Sequence, residues 1–197
     1  MELFLKHLSL RQLLPALVLT AGLALLGLAL MLARPSSTSP PVIGGPFALT
    51  APDGSTRTQA DFRGAPLLVF FGYTHCPDVC PATLFNLTQA FEKLGPKAKI
   101  RAAFITVDPE RDTPAVLKDY MASFDSRIVA LSGSRAALDL VYKDFRVYAK
   151  KVVGANGDYT MDHTALVYLM DGKGQFIASF NTDLSPEAAA KELAAYL

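Results

Sequence analysis

One segment constrains the fold more than any other. The apolar run Pro66-Leu67-Leu68-Val69-Phe70-Phe71-Gly72 leads directly into a loop that holds both cysteines of the chain, Cys76 and Cys80. A run of strand length with no polar alternation suits a strand buried on both faces, so helices must cover the sheet above and below. The periodicity of the flanking sequence agrees. Leu84, Leu87, Phe91 and Leu94 follow helical spacing, Pro81 suits a first helical turn, and Gly95-Pro96 ends the segment. Residues 100–107 read as the next strand, and Thr113-Pro114 opens a helix carrying Leu117, Tyr120, Met121 and Phe124. A short strand over 128–131 follows, then a helix marked by Leu138, Val141 and Tyr142.

The flanks complete the domain. Phe47 to Leu49, a turn at Pro52-Asp53-Gly54-Ser55 and Thr56 to Thr58 read as a short hairpin. Residues 165–170 and 175–180 form a second hairpin over Asp171-Gly172-Lys173-Gly174, and Ser185-Pro186 opens a last helix. Strands alternating with helices predict an α/β domain with a mostly parallel sheet. A cysteine pair at the first strand–helix junction, with a late hairpin and helix, points to a thioredoxin-like architecture.

This domain is expected over residues 47–197. Residues 34–46 are rich in Pro, Ser and Gly and read as a linker. Before them, residues 13–33 carry no charge; at about 1.5 Å per residue a helix here spans about 31 Å, the hydrocarbon thickness of a bilayer. The run exceeds a signal-peptide core, and Met31-Leu32-Ala33 lacks the small-x-small cleavage pattern. A retained transmembrane anchor is therefore expected. Lys6 and Arg11 precede it in a short N-terminus, residues 1–12, which the positive-inside rule places in the cytoplasm. The domain is then expected on the periplasmic or equivalent outer side of the inner membrane, where disulfides form.

Composition excludes several classes. A chain that is 51% hydrophobic and 19% charged is not disordered. A net charge of +1 gives no footprint for nucleic acid. Two cysteines cannot make a disulfide-dense scaffold or a zinc ribbon.

The motif Phe71-Gly72-Tyr73-Thr74-His75-Cys76-Pro77-Asp78-Val79-Cys80-Pro81 carries the chemistry. A helix N-terminus favours negative charge, so the pair, Cys80 foremost, should be shifted toward thiolate. Pro77 and Pro81 stiffen the loop, which can close on one ion or as a disulfide. A purely structural five-residue disulfide ring stabilises by only about 2 kcal/mol, which a domain of this size does not need. Thiolates select Cu(I) or Zn, and two sulfurs leave a need for further ligands. His7 falls on the cytoplasmic side of the expected anchor, and the His75 side chain should leave the loop opposite to Cys76. His163, just before a strand expected beside the cysteine loop, is a candidate ligand. Asp162 reads as a supporting group, a fourth ligand or a turn residue, and Asp78 first as a loop carboxylate, with a weak ligand or a modulator of the thiol pKa as the alternatives. Phe71 and Tyr73 read as packing. Asp108-Pro109-Glu110-Arg111-Asp112-Thr113-Pro114 reads first as a strand–helix loop with a capping Asp112 or Thr113 and a local Arg111 pair, with partner docking as the alternative.

Four segments together carry a resemblance: Gly44-Gly45-Pro46-Phe47, the cysteine motif, Val107 through Pro114, and Tyr159-Thr160-Met161-Asp162-His163-Thr164. The chain resembles the Sco/SenC family of membrane-anchored copper proteins that assist cytochrome c oxidase assembly. The resemblance implies a thioredoxin-like fold with extra elements and one copper ion, Cu(I) or Cu(II), bound by Cys76, Cys80 and His163. It implies a metallochaperone that delivers copper to the dinuclear site of cytochrome c oxidase subunit II, served by a copper donor and a thiol reductant of unknown identity. The alternative is an enzyme: a thiol–disulfide reductase that uses Cys76 and Cys80 to keep the recipient's cysteines reduced. A peroxidase of peroxiredoxin type, suggested by Thr74, fits the surrounding pattern less well.

Overall fold

The structure is a computed structural model that describes residues 18–28, 43–154 and 157–197. The chain divides into two compact units, Met1–Pro41 and Val42–Leu197. In the first, residues 18–28 are helical (α1). Among the described residues no helix is long and apolar enough to cross a membrane. Residues 18–28 of the expected anchor over 13–33 and residues 43–46 of the linker over 34–46 are described, and the rest of both lies outside the described residues.

The second unit begins with a small hairpin, β1 (Ala48–Thr50) and β2 (Thr56–Thr58), and a 3-10 turn at Gln59–Phe62. Next come β3 (Leu67–Gly72), α2 (Val79–Leu94), β4 (Arg101–Thr106), α3 (Pro114–Met121), β5 (Ile128–Leu131) and α4 (Arg135–Phe145). The chain then forms β6 (Ala149–Val153), β7 (Tyr159–His163), β8 (Val167–Met170), β9 (Phe176–Phe180) and α5 (Pro186–Ala194). The main sheet has the order β5-β4-β3-β8-β9. Strands β3, β4 and β5 are parallel, and β8 and β9 are added antiparallel.

The central position of β3 follows from its composition: every residue from Leu67 to Gly72 is buried. Alternate side chains serve opposite faces. Phe71 packs on Tyr142 and Phe145 of α4 and on Tyr168. Phe70 meets Phe104, which meets Tyr120 of α3. Leu84, Leu87 and Phe91 bury the inner face of α2. Each such side chain contributes about 1.5–3 kcal/mol by leaving water. The expected helix starts at Thr113 and Ser185 hold, and Ser134 adds a third that was not expected. Thr113, Ser134 and Ser185 accept from backbone amides at the heads of α3, α4 and α5, with Pro114 and Pro186 just inside. Gly95 ends α2 at φ 81°, a conformation that favours glycine.

One element was not expected. β6 and β7 form a separate two-stranded antiparallel sheet between α4 and β8.

Candidate metal centre

The site lies past the C-terminal end of β3. There β3 releases the chain into the loop Tyr73 to Asp78, and α2 begins at Val79. Cys76 is half-buried and Cys80 fully buried, and both are free thiols. On the other side, β8 pairs with β3 so that Val167 lies opposite Phe70, which carries the preceding residues toward the same loop. His163 ends β7 there, with Ala149 of β6 as its register partner. The ligand atoms of Cys76, Cys80 and His163 all lie within 4.8 Å of one another. Among the described residues this is the one cluster of three or more His, Cys, Asp or Glu donors that could hold an ion.

Local hydrogen bonds settle what each ligand atom offers. The Nδ1 of His163 is 3.0 Å from the Thr164 carbonyl oxygen. A carbonyl only accepts, so Nδ1 carries the proton and Nε2 presents its lone pair. That Nε2 faces the Cys80 sulfur at 3.7 Å. Thr164 is itself fixed, since its amide donates to the Tyr148 carbonyl and its hydroxyl accepts from the Tyr148 amide, both at 3.0 Å. The buried Tyr73 ring stands edge-on to the imidazole, with centroids 5.7 Å apart. A fixed tautomer that turns the Nε2 lone pair toward two sulfurs fits a soft metal ion.

The expected shift of Cys80 toward thiolate is corrected. Burial pushes the Cys80 thiol well above its ordinary pKa, and neighbouring Cys76 and Asp112 act in the same direction. Cys80 sits inside the first turn of α2 and points into the core. The helix amide is used elsewhere: the backbone N–H of Cys80 donates to the Cys76 sulfur at 3.3 Å. The seat of the Cys80 sulfur is made by Gly72. A Cβ at Gly72 would stand 2.8 Å from that sulfur and 2.7 Å from the Phe104 ring. Only a residue without a side chain leaves this space.

The remaining candidates separate cleanly. His75 is exposed and its Nδ1 lies 3.0 Å from the Thr74 hydroxyl, outside the cluster. Asp78 and Asp162 are exposed and also outside it. The segment Asp108 to Pro114 does more than cap a helix. Thr113 is the cap, and Arg111 pairs with Asp108 as expected. Asp112, however, is buried and accepts from the Thr74 amide at 3.2 Å, the Thr74 hydroxyl at 2.6 Å and the Thr106 hydroxyl at 2.5 Å. Buried Asp108 accepts from the Tyr159 hydroxyl at 2.9 Å, and Arg111 donates to the Tyr159 carbonyl at 3.0 Å with its guanidinium 3.6 Å from the Tyr159 ring centroid. One short loop thus ties the cysteine loop to β4 and to the hairpin that carries His163. Sequence reading took Asp112 for a possible cap and missed the contacts of both carboxylates, because a loop of charged residues resembles any solvated turn. The hairpin had left a signal: Asn156-Gly157 between β-branched and aromatic residues is a strong turn marker.

Fold and site together define a thioredoxin-like domain with a half-buried two-sulfur, one-imidazole centre. The chain belongs to the SCO1/SenC family, whose model matches residues 35–197. It is 53% identical to ScoI of Bradyrhizobium japonicum, whose structure was solved with copper bound, at a TM-score of 0.76 over 79% of this chain and 99% of that one. It is 39% identical over 155 residues to the mitochondrial SCO1 homolog 2 of Arabidopsis thaliana, covering 78% of this chain but only 56% of that protein. A third likeness is of fold: BsSco, described as a member of the Sco family of cytochrome c oxidase assembly proteins with a disulfide switch, aligns at a TM-score of 0.64 and 22% identity over 80% of this chain and 96% of that one.

Proposed function

We propose that this chain is a copper metallochaperone in cytochrome c oxidase assembly, and that Cys76, Cys80 and His163 hold one copper ion. The convergence of these three ligand atoms within 4.8 Å carries the reading. The copper-bound state of a relative at 53% identity supports the choice of metal. The recipient is the dinuclear copper site of subunit II, reached by ligand exchange: recipient thiolates enter on the half-buried Cys76 side while His163 and then the sulfurs let go. Residues 13–33 anchor the chain as one membrane span with residues 1–12 in the cytoplasm, a linker follows over 34–46, and the domain works on the outer face. The uncharged 21-residue length of that run supports this layout.

The test is transfer. Copper-loaded full chain in neutral detergent is mixed with the metal-free copper domain of subunit II. Growth of the dinuclear copper absorption with matching loss of copper from this chain is expected. If copper stays with the chain in the presence of a reduced, competent acceptor, the delivery reading is wrong.

The pairing of a half-buried Cys76 with a buried Cys80 also favours a second reading, reduction of the recipient. The Cys76 thiolate attacks a recipient disulfide, forming a mixed disulfide and releasing one recipient thiol. Cys80 then displaces the second, leaving a Cys76–Cys80 disulfide. Two electrons and two protons pass to the recipient. His163→Ala should abolish copper retention and spare this exchange.

A further inference from the structure

The strands β3, β4 and β5 all start at the pole away from the metal centre, at Leu67, Arg101 and Ile128. A six-residue strand is about 20 Å long, so this pole is a separate surface. It holds a cavity of about 750 Å³ lined by Arg57, Arg63, Lys99, Arg101 and Arg127, with Asp61 as the one carboxylate. The Asp61 carboxylate is already engaged by the Thr58 amide at 2.6 Å and the Thr58 hydroxyl at 2.9 Å. Arg127 is paired with Asp125 at 2.7 Å. Of the other four cations, Arg57 and Arg101 share the Asp61 carboxylate, whose pKa is lowered first by its hydrogen bonds to Thr58 and then by these two guanidinium groups. Arg63 and Lys99 form no ion pair among the described residues, and Arg101 donates to the Asp61 backbone carbonyl at 2.7 Å. Arg57 reaches Asp53 only at 3.7 Å, and its buried Nε has no hydrogen-bond partner. Residues 47–197 carry 16 Lys and Arg against 17 Asp and Glu, so this concentration of positive charge is local and not compositional.

We propose that this cavity is a second binding site, for a phosphate-bearing anion. A concavity lined by one sign of charge focuses its field, and guanidinium forks match phosphate oxygens in pairs. The volume lies in the range of small-molecule sites. The chain also enters the domain at this pole: the Gly44 amide donates to the Asp144 carbonyl, and a Cβ on Gly44 would meet Met170, the register partner of Leu67. The phosphate therefore has two sources, a free phosphorylated molecule or a lipid headgroup. The second source rests on the anchoring reading above; the site itself does not.

The test uses metal-free full chain in neutral detergent, titrated by calorimetry with sodium pyrophosphate and, separately, with dihexanoyl phosphatidylglycerol. Sodium chloride at matched ionic strength is the control. One saturable site per chain is expected, with a rise in melting temperature. Arg63→Gln with Lys99→Gln, and independently Arg57→Gln, should weaken it roughly tenfold or more while copper stoichiometry, which reports the fold, stays unchanged. Pyrophosphate binding alone assigns a soluble ligand, and lipid binding alone assigns a headgroup. Absence of saturable binding to both up to about 10 mM, or full binding by the variants, overturns the site.

Discussion

At the scale of single residues, the centre depends on three side chains, Cys76, Cys80 and His163, and on one that is missing. Gly72 leaves the space that the Cys80 sulfur fills. Gly72→Ala should force that sulfur or the Phe104 ring aside, costing about 1–3 kcal/mol of stability and roughly tenfold or more in copper affinity, as a chelator competition assay would show. The Cys80 thiol has a second consequence. Because burial raises its pKa, it is protonated at neutral pH, and a bound metal must displace that proton. Apparent copper affinity should therefore rise by about tenfold per pH unit for each proton released, and fall as pH drops. A flat profile between pH 6 and about pH 8 would show that Cys80 does not ligate as a thiolate.

At the scale of elements, the loop Asp108 to Thr113 is the brace between both halves of the centre. Asp112→Ala would leave the Thr74 amide and the Thr106 hydroxyl without their acceptor, at about 1–3 kcal/mol each. Asp112→Asn should cost less, because burial already raises the Asp112 pKa. A raised carboxylate pKa means that the ionised group costs stability above it, a cost relieved as pH falls through it. Tyr159→Phe removes only the bond to Asp108. It should cost about 1 kcal/mol and speed amide exchange in β6 and β7 while leaving β3 protected. The main sheet was legible in the sequence because Leu67 to Gly72 has no polar alternation and the helices keep a clear period. The β6–β7 hairpin was less so: Lys150, Lys151 and Asp162 obscure the alternation of a sheet that buries little besides Met161. His163 was found by elimination and resemblance, whereas its fixed tautomer comes from a contact with Thr164 that only the fold creates.

At the scale of the whole molecule, the proposed reading gives the same sulfurs two uses, as metal ligands and as a disulfide pair. Closing Cys76 onto Cys80 removes both thiolates, so the oxidised chain should bind no copper until a dithiol is added. Stability should decline in acid partly through Asp125, whose carboxylate pKa is lowered by its hydrogen bonds to Arg127. A depressed pKa contributes stability above the unfolded value and loses it as pH falls through the folded one. Asp125→Asn should therefore cost about 1.5–3 kcal/mol near pH 7 and little near pH 2, measured by urea titration. Residue type alone pointed to a domain, an anchor and a soft-metal pair. It could not show the cluster of positive charge at the pole away from the metal centre, because Arg63, Lys99 and Arg127 meet only when the starts of β3, β4 and β5 are brought together. The central claim is tested most directly by an anaerobic Cu(I) titration of the reduced full chain against a competing chelator, alongside Cys76→Ser, Cys80→Ser and His163→Ala. One tightly held copper is expected in the parent, with a loss of well over tenfold in affinity in each variant. Undiminished copper binding by His163→Ala would contradict it.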